Sequence, residues 1–269
     1  MAFQRWQIGL DIHNGQLCAV GIERRRHGWQ LRHWWQQPLP HDTLRNGVLQ
    51  TTDTLIALLT RWQQQLPQRY SLRVGLPPQL VLQRTLPLPN QALREPALSR
   101  YITAAAQRLF PVEPASLSLD YRQAADPAAL CVTAARSEAI AQWLAPLRNA
   151  GLRPDVFELS SLALAQLAMR IPLRAHDVLT HPHGEAWLWV CGGASPTSGI
   201  SSDPLTVEQL RDTFPQAETL YCTQPPAACI RDMVRCHPFS FLHYLQPPLP
   251  PEAGEFAVAL GLALRPEDA

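Results

Sequence analysis

The sequence predicts a mixed α/β chain built from two related halves, and three observations predict it. The chain opens as strand, tight turn and strand: Trp6–Ile12, then His13-Asn14-Gly15, then Leu17–Glu23. Asn-Gly is the strongest two-residue hairpin signal. Helical and strand-like stretches then alternate along the chain instead of segregating. Finally, Ala186–Cys191 followed by Gly192-Gly193 restates the opening at Ile8–Gly15, an apolar strand and then a turn of small residues. With 269 residues, 46% of them hydrophobic, the chain is long enough to bury its own core.

Each element follows from its local pattern. A third strand is expected over Gln30–Trp35, broken by Pro38–Pro40, and Asn46-Gly47 turns into a short strand at Val48-Leu49. Asp53 caps a helix to about Gln65, with Leu55, Leu58, Leu59 and Trp62 at helical spacing. Leu72–Leu76 reads as a buried strand, Leu80–Leu86 as an alternating one, and Glu95–Phe110 as a helix. Leu117–Arg122 and Leu130–Ala135 are strands joined by a polar loop. Ser137 caps a helix carrying Ile140, Trp143, Leu144 and Leu147, stopped by Ala150-Gly151. After a strand at Asp155–Leu159, Ser160 or Ser161 caps Leu162–Met169, which is apolar almost all round and therefore expected between layers. A loop rich in His, Pro and Gly precedes the second strand start at Ala186. Thr206 caps a short helix through Arg211, and Gly254–Leu264 closes the chain as a helix with one apolar stripe.

Bulk properties exclude several classes. The net charge of +1 gives no general pull toward nucleic acid. Arg24-Arg25-Arg26, the only basic run, reads as a solvated turn, with a phosphate or headgroup patch as the alternative. The 26 prolines fall in clusters between elements, so they mark loops. Pro247-Pro248 with Pro250-Pro251 reads as a stiff connector, the alternative being a ligand for an SH3-type groove. The opening residues lack a signal-peptide pattern and no apolar run approaches a membrane span, so a cytoplasmic protein is expected. The six cysteines are then expected reduced. Cys222, Cys229 and Cys236 recur every seven residues, as on one helix face, and are read as core residues in place of zinc ligands.

Two halves with like beginnings and a cleft between them describe an actin-like, RNase H-like architecture. Six stretches carry a closer likeness: Ile8–Ile12; Leu44–Leu49; Leu76-Pro77 with Leu86–Pro89; Leu119–Tyr121; Ala134–Arg136 through Ala150–Pro154; and Ala259–Arg265. In that order and spacing the chain resembles the PilM family of type IV pilus assembly proteins, in particular its shorter members. The likeness fades between about Ala194 and Pro250. It implies an actin-like, FtsA-related fold. Residues 1–78 and 157–175 would form the first subdomain, 79–156 an inserted small α/β subdomain, and 176–269 a shortened second half. It also implies a partner: the cytoplasmic N-terminal tail of a PilN/HofN-like bitopic inner-membrane protein, alongside other pilus platform or motor proteins. The membrane would then be reached only through partners, with no direct nucleic acid. Self-association stays open, and no residue of the tail groove follows from the sequence.

The same resemblance locates a nucleotide site and shows it altered. Asp11 matches the family's first phosphate loop, but His13 stands for a Gly and Cys18 for a lysine; all 23 basic residues are arginine. A second loop read at Gly192-Gly193 has Val190 where an acid is expected. Bound Mg-ATP needs ligands for both metal and phosphates. The vestigial nucleotide-binding set is therefore Asp11, Asn14, Gly15, Gly192 and Gly193, with no catalytic residue and no metal site. ATP with magnesium is disfavoured as a cofactor, and none is expected. Ser195, Ser198, Ser201 and Ser202 lack a nucleophile elbow. His176, His181 and His183 read as exposed loop, and Glu113 and Asp120 are not a pair. The expected function is a non-catalytic adaptor; the alternatives are a nucleotide-binding switch in the same assembly and a direct DNA binder.

Overall fold

Trp6–His13 (β1) and Gln16–Arg25 (β2) pair antiparallel across Asn14-Gly15, and Gly28–Pro38 (β3) extends the meander beyond the expected third strand. The computed structural model describes residues 5–89, 93–124, 126, 128–193, 196–201, 206–225 and 232–266. A small hairpin, Leu44–Arg45 (β4) and Val48–Leu49 (β5), leads to helix Asp53–Gln63 (α1). Its cap is Thr52, not Asp53: the Thr52 hydroxyl accepts from the Leu55 N–H, and Asp53 adds a charge suited to the first turn. Tyr70–Leu76 (β6) joins β1 in parallel.

Next comes the insertion. Val81–Pro87 (β7), helix Ala97–Leu109 (α2), Leu117–Gln123 (β8) and Ala129–Arg136 (β9) make a three-stranded sheet in the order β7-β9-β8. One face packs on α2 around Ile102, Ala106, Leu130 and Val132. Helix Ser137–Asn149 (α3) was expected inside this unit, but Trp143 and Leu147 are buried in the first half's core with Leu59 and Trp62. The part with its own core is Val81–Arg136. Ser137 is the first helical residue and makes no cap bond.

Val156–Leu159 (β10) completes a five-stranded sheet in the order β10-β6-β1-β2-β3. Helix Ser160–Ala168 (α4) follows directly; neither serine caps it, and Ser160 donates to the Leu76 carbonyl. The second sheet uses Asp177–His183 (β11), Ala186–Cys191 (β12), Thr197–Ser201 (β13), Thr219–Cys222 (β14) and Val234–Arg235 (β15) in the order β13-β12-β11-β14-β15. Order and strand directions repeat the first sheet, with β11 in the place of β1. The predicted repeat is therefore real but begins one strand earlier than expected, at Asp177 and not at Ala186. His181, His183 and Pro182, with His176 just before the strand, disguised β11 as a loop. Pro182 lies beyond the last β14 pair, where only β12 flanks the strand, so its missing N–H is tolerated.

Helix Val207–Thr213 (α5) is capped by Thr206 in a capping box with Gln209, as the sequence predicts. The last helix, Ala257–Leu264 (α6), is buried on every side, not along one stripe. It packs on the first sheet while α4 packs on the second, and the two helices fill the space between the sheets. Two glycines allow this closeness. A Cβ on Gly9 would stand 1.9 Å from the Ala259 carbonyl oxygen, and one on Gly261 would stand 1.9 Å from that of Ala163. Cys222 ends β14 and Cys236 follows β15, both buried, so they share no helix. Cys229, Ser195 and Ser202 lie outside the described residues.

Candidate functional site

The repeated topology brings two hairpin turns face to face. β1 ends Asp11-Ile12-His13 and β11 ends His181-Pro182-His183; in each the final histidine is the last paired residue before the turn. His13 thus matches His183, and Asp11 matches His181. Gly184, at φ +63°, makes the second turn, and its Cα side faces the Asn14 carbonyl and the His13 ring.

Asp11 is buried and spans the two halves through His183, whose Nε2 lies 3.0 and 3.1 Å from the two carboxylate oxygens. The His13 and His183 rings stack at 4.7 Å between centroids, tilted 54°. Behind them, buried His181 shares a hydrogen bond of 2.7 Å between Nδ1 and Thr223 Oγ1. Burial alone would raise the Asp11 carboxyl, but His183, hydrogen-bonded and close, then His13 and His181, hold it below its ordinary value. Burial, then His183, lowers His181 to about 3. His13 is lowered by the same two causes, against the pull of Asp11. Beside this cluster an open recess of about 270 Å³ is lined by His13, Gln16, His181, Gln224 and Glu255, among others. The Glu255 carboxylate accepts from Gln16, Gln36 and Gln224.

Of the residues expected to contact nucleotide, Asp11, Asn14 and Gly15 do meet at this junction. Asn14, however, spends its side chain on Leu44: its amide donates to the carbonyl at 3.2 Å, and its oxygen accepts the N–H at 2.7 Å. Gly192 and Gly193 are elsewhere. Gly192 bonds Asp177, the residue that starts β11, so both glycines sit a strand's length from the hairpins. The turn that faces Asp11 is Gly184-Glu185. The expectation of an exposed loop at His181 and His183 also fails, because both are buried on β11. Their signal in the sequence was alternation: His181 and His183 repeat the spacing of Asp11 and His13.

A second feature lies between the insertion and the first half. The face of the β7-β9-β8 sheet turned away from α2 presents Gln83, Ser118, Asp120, Cys131 and Thr133 to a groove of about 440 Å³. Leu76, Ile140, Phe157, Leu159 and Leu162 form the opposite, apolar wall. Buried Glu158 stands at its edge, bonded by Arg265 at 2.8 Å and Arg122 at 2.9 Å. Among the described residues, β8 and β10 are sheet edges. These are sites where an extended chain can add main-chain hydrogen bonds.

Comparison with known proteins agrees with this architecture. The family model for type IV pilus assembly protein PilM matches residues 9–178. The chain is 29% identical over 267 residues to the DNA utilization protein HofM of Escherichia coli K12, covering 98% of both. It superposes on a chain of the PilM-PilN type IV pilus biogenesis complex with a TM-score of 0.70, 20% identity, and 96% and 97% coverage. The cytoplasmic domain of EpsL, an inner-membrane component of the Vibrio cholerae type II secretion system, gives a TM-score of 0.57 at 11% identity, with 97% and 96% covered.

Proposed function

The chain belongs to the PilM family of type IV pilus assembly proteins, and we propose that it is an actin-like adaptor whose groove takes the cytoplasmic N-terminal tail of a PilN-like membrane protein. The groove carries this reading. It pairs an apolar wall with a sheet face of small and polar side chains, and it runs beside two strand edges. That combination fits an extended peptide: main-chain bonds give affinity, and the apolar wall takes alternate side chains. One of the solved structures the chain superposes on is a PilM-PilN type IV pilus biogenesis complex. Among the described residues no helix is long and apolar enough to cross a membrane, so the protein would be held at the inner membrane by this partner.

In the same reading the adaptor catalyses nothing, and its ATP site is degenerate. Asp11 already satisfies its carboxylate on His183, and the His13 ring stands where close approach to a phosphate favours a glycine. Neither ATP nor magnesium is a cofactor. The test is capture of a PilN-like partner with and without its N-terminal tail. Full-length partner and the isolated tail peptide should both bind; equal capture of a tail-deleted partner would overturn the reading.

A further inference from the structure

We propose that Asp11, His13 and His183 form a binding site for one borderline divalent transition-metal ion of the zinc type, held directly by protein ligands and without nucleotide. The three side chains offer one ligand atom each, all within 4.8 Å of one another. They come from both halves, so the ion would tie the two hairpins together.

The donor set fits the ion. Two imidazoles and one carboxylate with an open fourth position is a familiar zinc arrangement. Magnesium instead prefers oxygen ligands and keeps its waters. Zinc bonds of about 2.0–2.1 Å place neighbouring tetrahedral ligands about 3.3 Å apart. The 3.0 Å gap between His183 Nε2 and Asp11 Oδ1 has to open only slightly to admit the ion, which displaces to solvent the proton that Nε2 donates to the carboxylate. The ligand atom of His13 lies within 4.8 Å of the other two and has to come closer as the ion binds.

The surroundings fit as well. His13 Nδ1 lies 2.9 Å from the Asn14 carbonyl oxygen. A carbonyl only accepts, so Nδ1 carries the proton and Nε2 is left with its lone pair. His181, the counterpart of Asp11, is held by Thr223 and backs the site without completing it. The recess beside His13 and His181 supplies an entry path from solvent.

The experiment is metal titration of the chelator-treated full-length protein with Zn²⁺, Co²⁺ and Mg²⁺. Uptake is read by elemental analysis, visible absorption and melting. We expect one equivalent of zinc per chain, a melting midpoint raised reversibly by zinc and unmoved by magnesium alone, and a cobalt spectrum lacking a thiolate charge-transfer band. His13→Ala should weaken zinc by more than the ten- to hundred-fold that loss of an outer-shell partner costs. His13→Gln serves where His13→Ala does not fold, with folding checked by circular dichroism. A double Cys222→Ser, Cys236→Ser variant should bind zinc as the parent does. The proposal is overturned by absence of zinc uptake at tens of micromolar, by unchanged uptake in a folded His13 variant, or by a thiolate band in the cobalt form.

Discussion

Replacing Thr133 by arginine should block the groove while leaving the fold intact. Thr133 lies on β9, on the sheet face turned away from α2, and its hydroxyl accepts only from Gln83 at 3.1 Å. Its loss exposes no buried group, so stability should change by no more than about 0.5 kcal/mol. The new side chain projects from the sheet toward Phe157 and Ile140, across a space of about 440 Å³. It excludes at least one side chain of a bound tail from the apolar wall. Full burial of one Val- to Phe-sized side chain is worth about 1.5–3 kcal/mol. At 1.4 kcal/mol per factor of ten, the dissociation constant should rise about ten- to hundred-fold. Phe157→Ala attacks the same contact from the other wall. Phe157 is half-buried and packs against the first half's core while lining the groove, so its truncation should lower the melting midpoint and also weaken binding about five- to tenfold. The assay is fluorescence anisotropy with a labelled tail peptide, alongside thermal melts. If both variants fold cooperatively and bind the peptide unchanged, the groove is not the docking site.

Three further outcomes are expected. Gly261→Ala should lower the melting midpoint. The gain of about 1 kcal/mol in helix propensity is outweighed by forcing a Cβ to within 1.9 Å of the Ala163 carbonyl, an overpacking cost of about 1–3 kcal/mol or more because backbone meets backbone; a raised midpoint in differential scanning calorimetry would show that the helices are not so close. Millimolar Mg-ATP should leave the midpoint where it is, whereas a ligand at a hundred times its dissociation constant would raise it by roughly 5–10 °C. A magnesium-dependent rise would restore the nucleotide switch. Among the described cysteines, native labelling by iodoacetamide should reach the partly exposed Cys131 and Cys191, and bound tail peptide should protect only Cys131, which lines the groove. Burial raises the Cys18 thiol and pushes Cys236 up to about 11, so both should react only on unfolding, as peptide mapping would reveal.

Local pattern made most elements of this chain legible. The opening hairpin, the α1 stripe and the all-apolar α4 follow from spacing alone, and each sits where that spacing requires. The second half's start was lost for a physical reason. Polar histidines within β11 are buried by contacts with the other half, and no local window contains those contacts. The groove was invisible for a similar reason. Its walls come from residues about 80 positions apart or less in the chain, such as Leu76, Thr133 and Phe157, and none is unusual by itself. Asp11 was readable as the carboxylate at a strand end, but its partner His183 was not, because 172 positions separate them.

The two halves are fastened at both ends of their interface. On the inner side α4 and α6 pack closely at Gly261, within one continuous core that joins the two sheets. At the mouth, Asp11 and His183 join the facing hairpins directly. A two-lobed enzyme that works by closing on a ligand needs the mouth to open, and opening here would leave the Asp11 carboxylate without its His183 partner. Losing hydrogen bonds to a charged group costs about 1.5–3 kcal/mol. An adaptor has the opposite need. Its groove is bounded on one side by β10 and α4, which belong to that fastened frame, so the apolar wall keeps its position whether or not a small ligand is present. The histidines that replace the expected loop chemistry thus suit a protein whose task is to hold a constant shape for a partner.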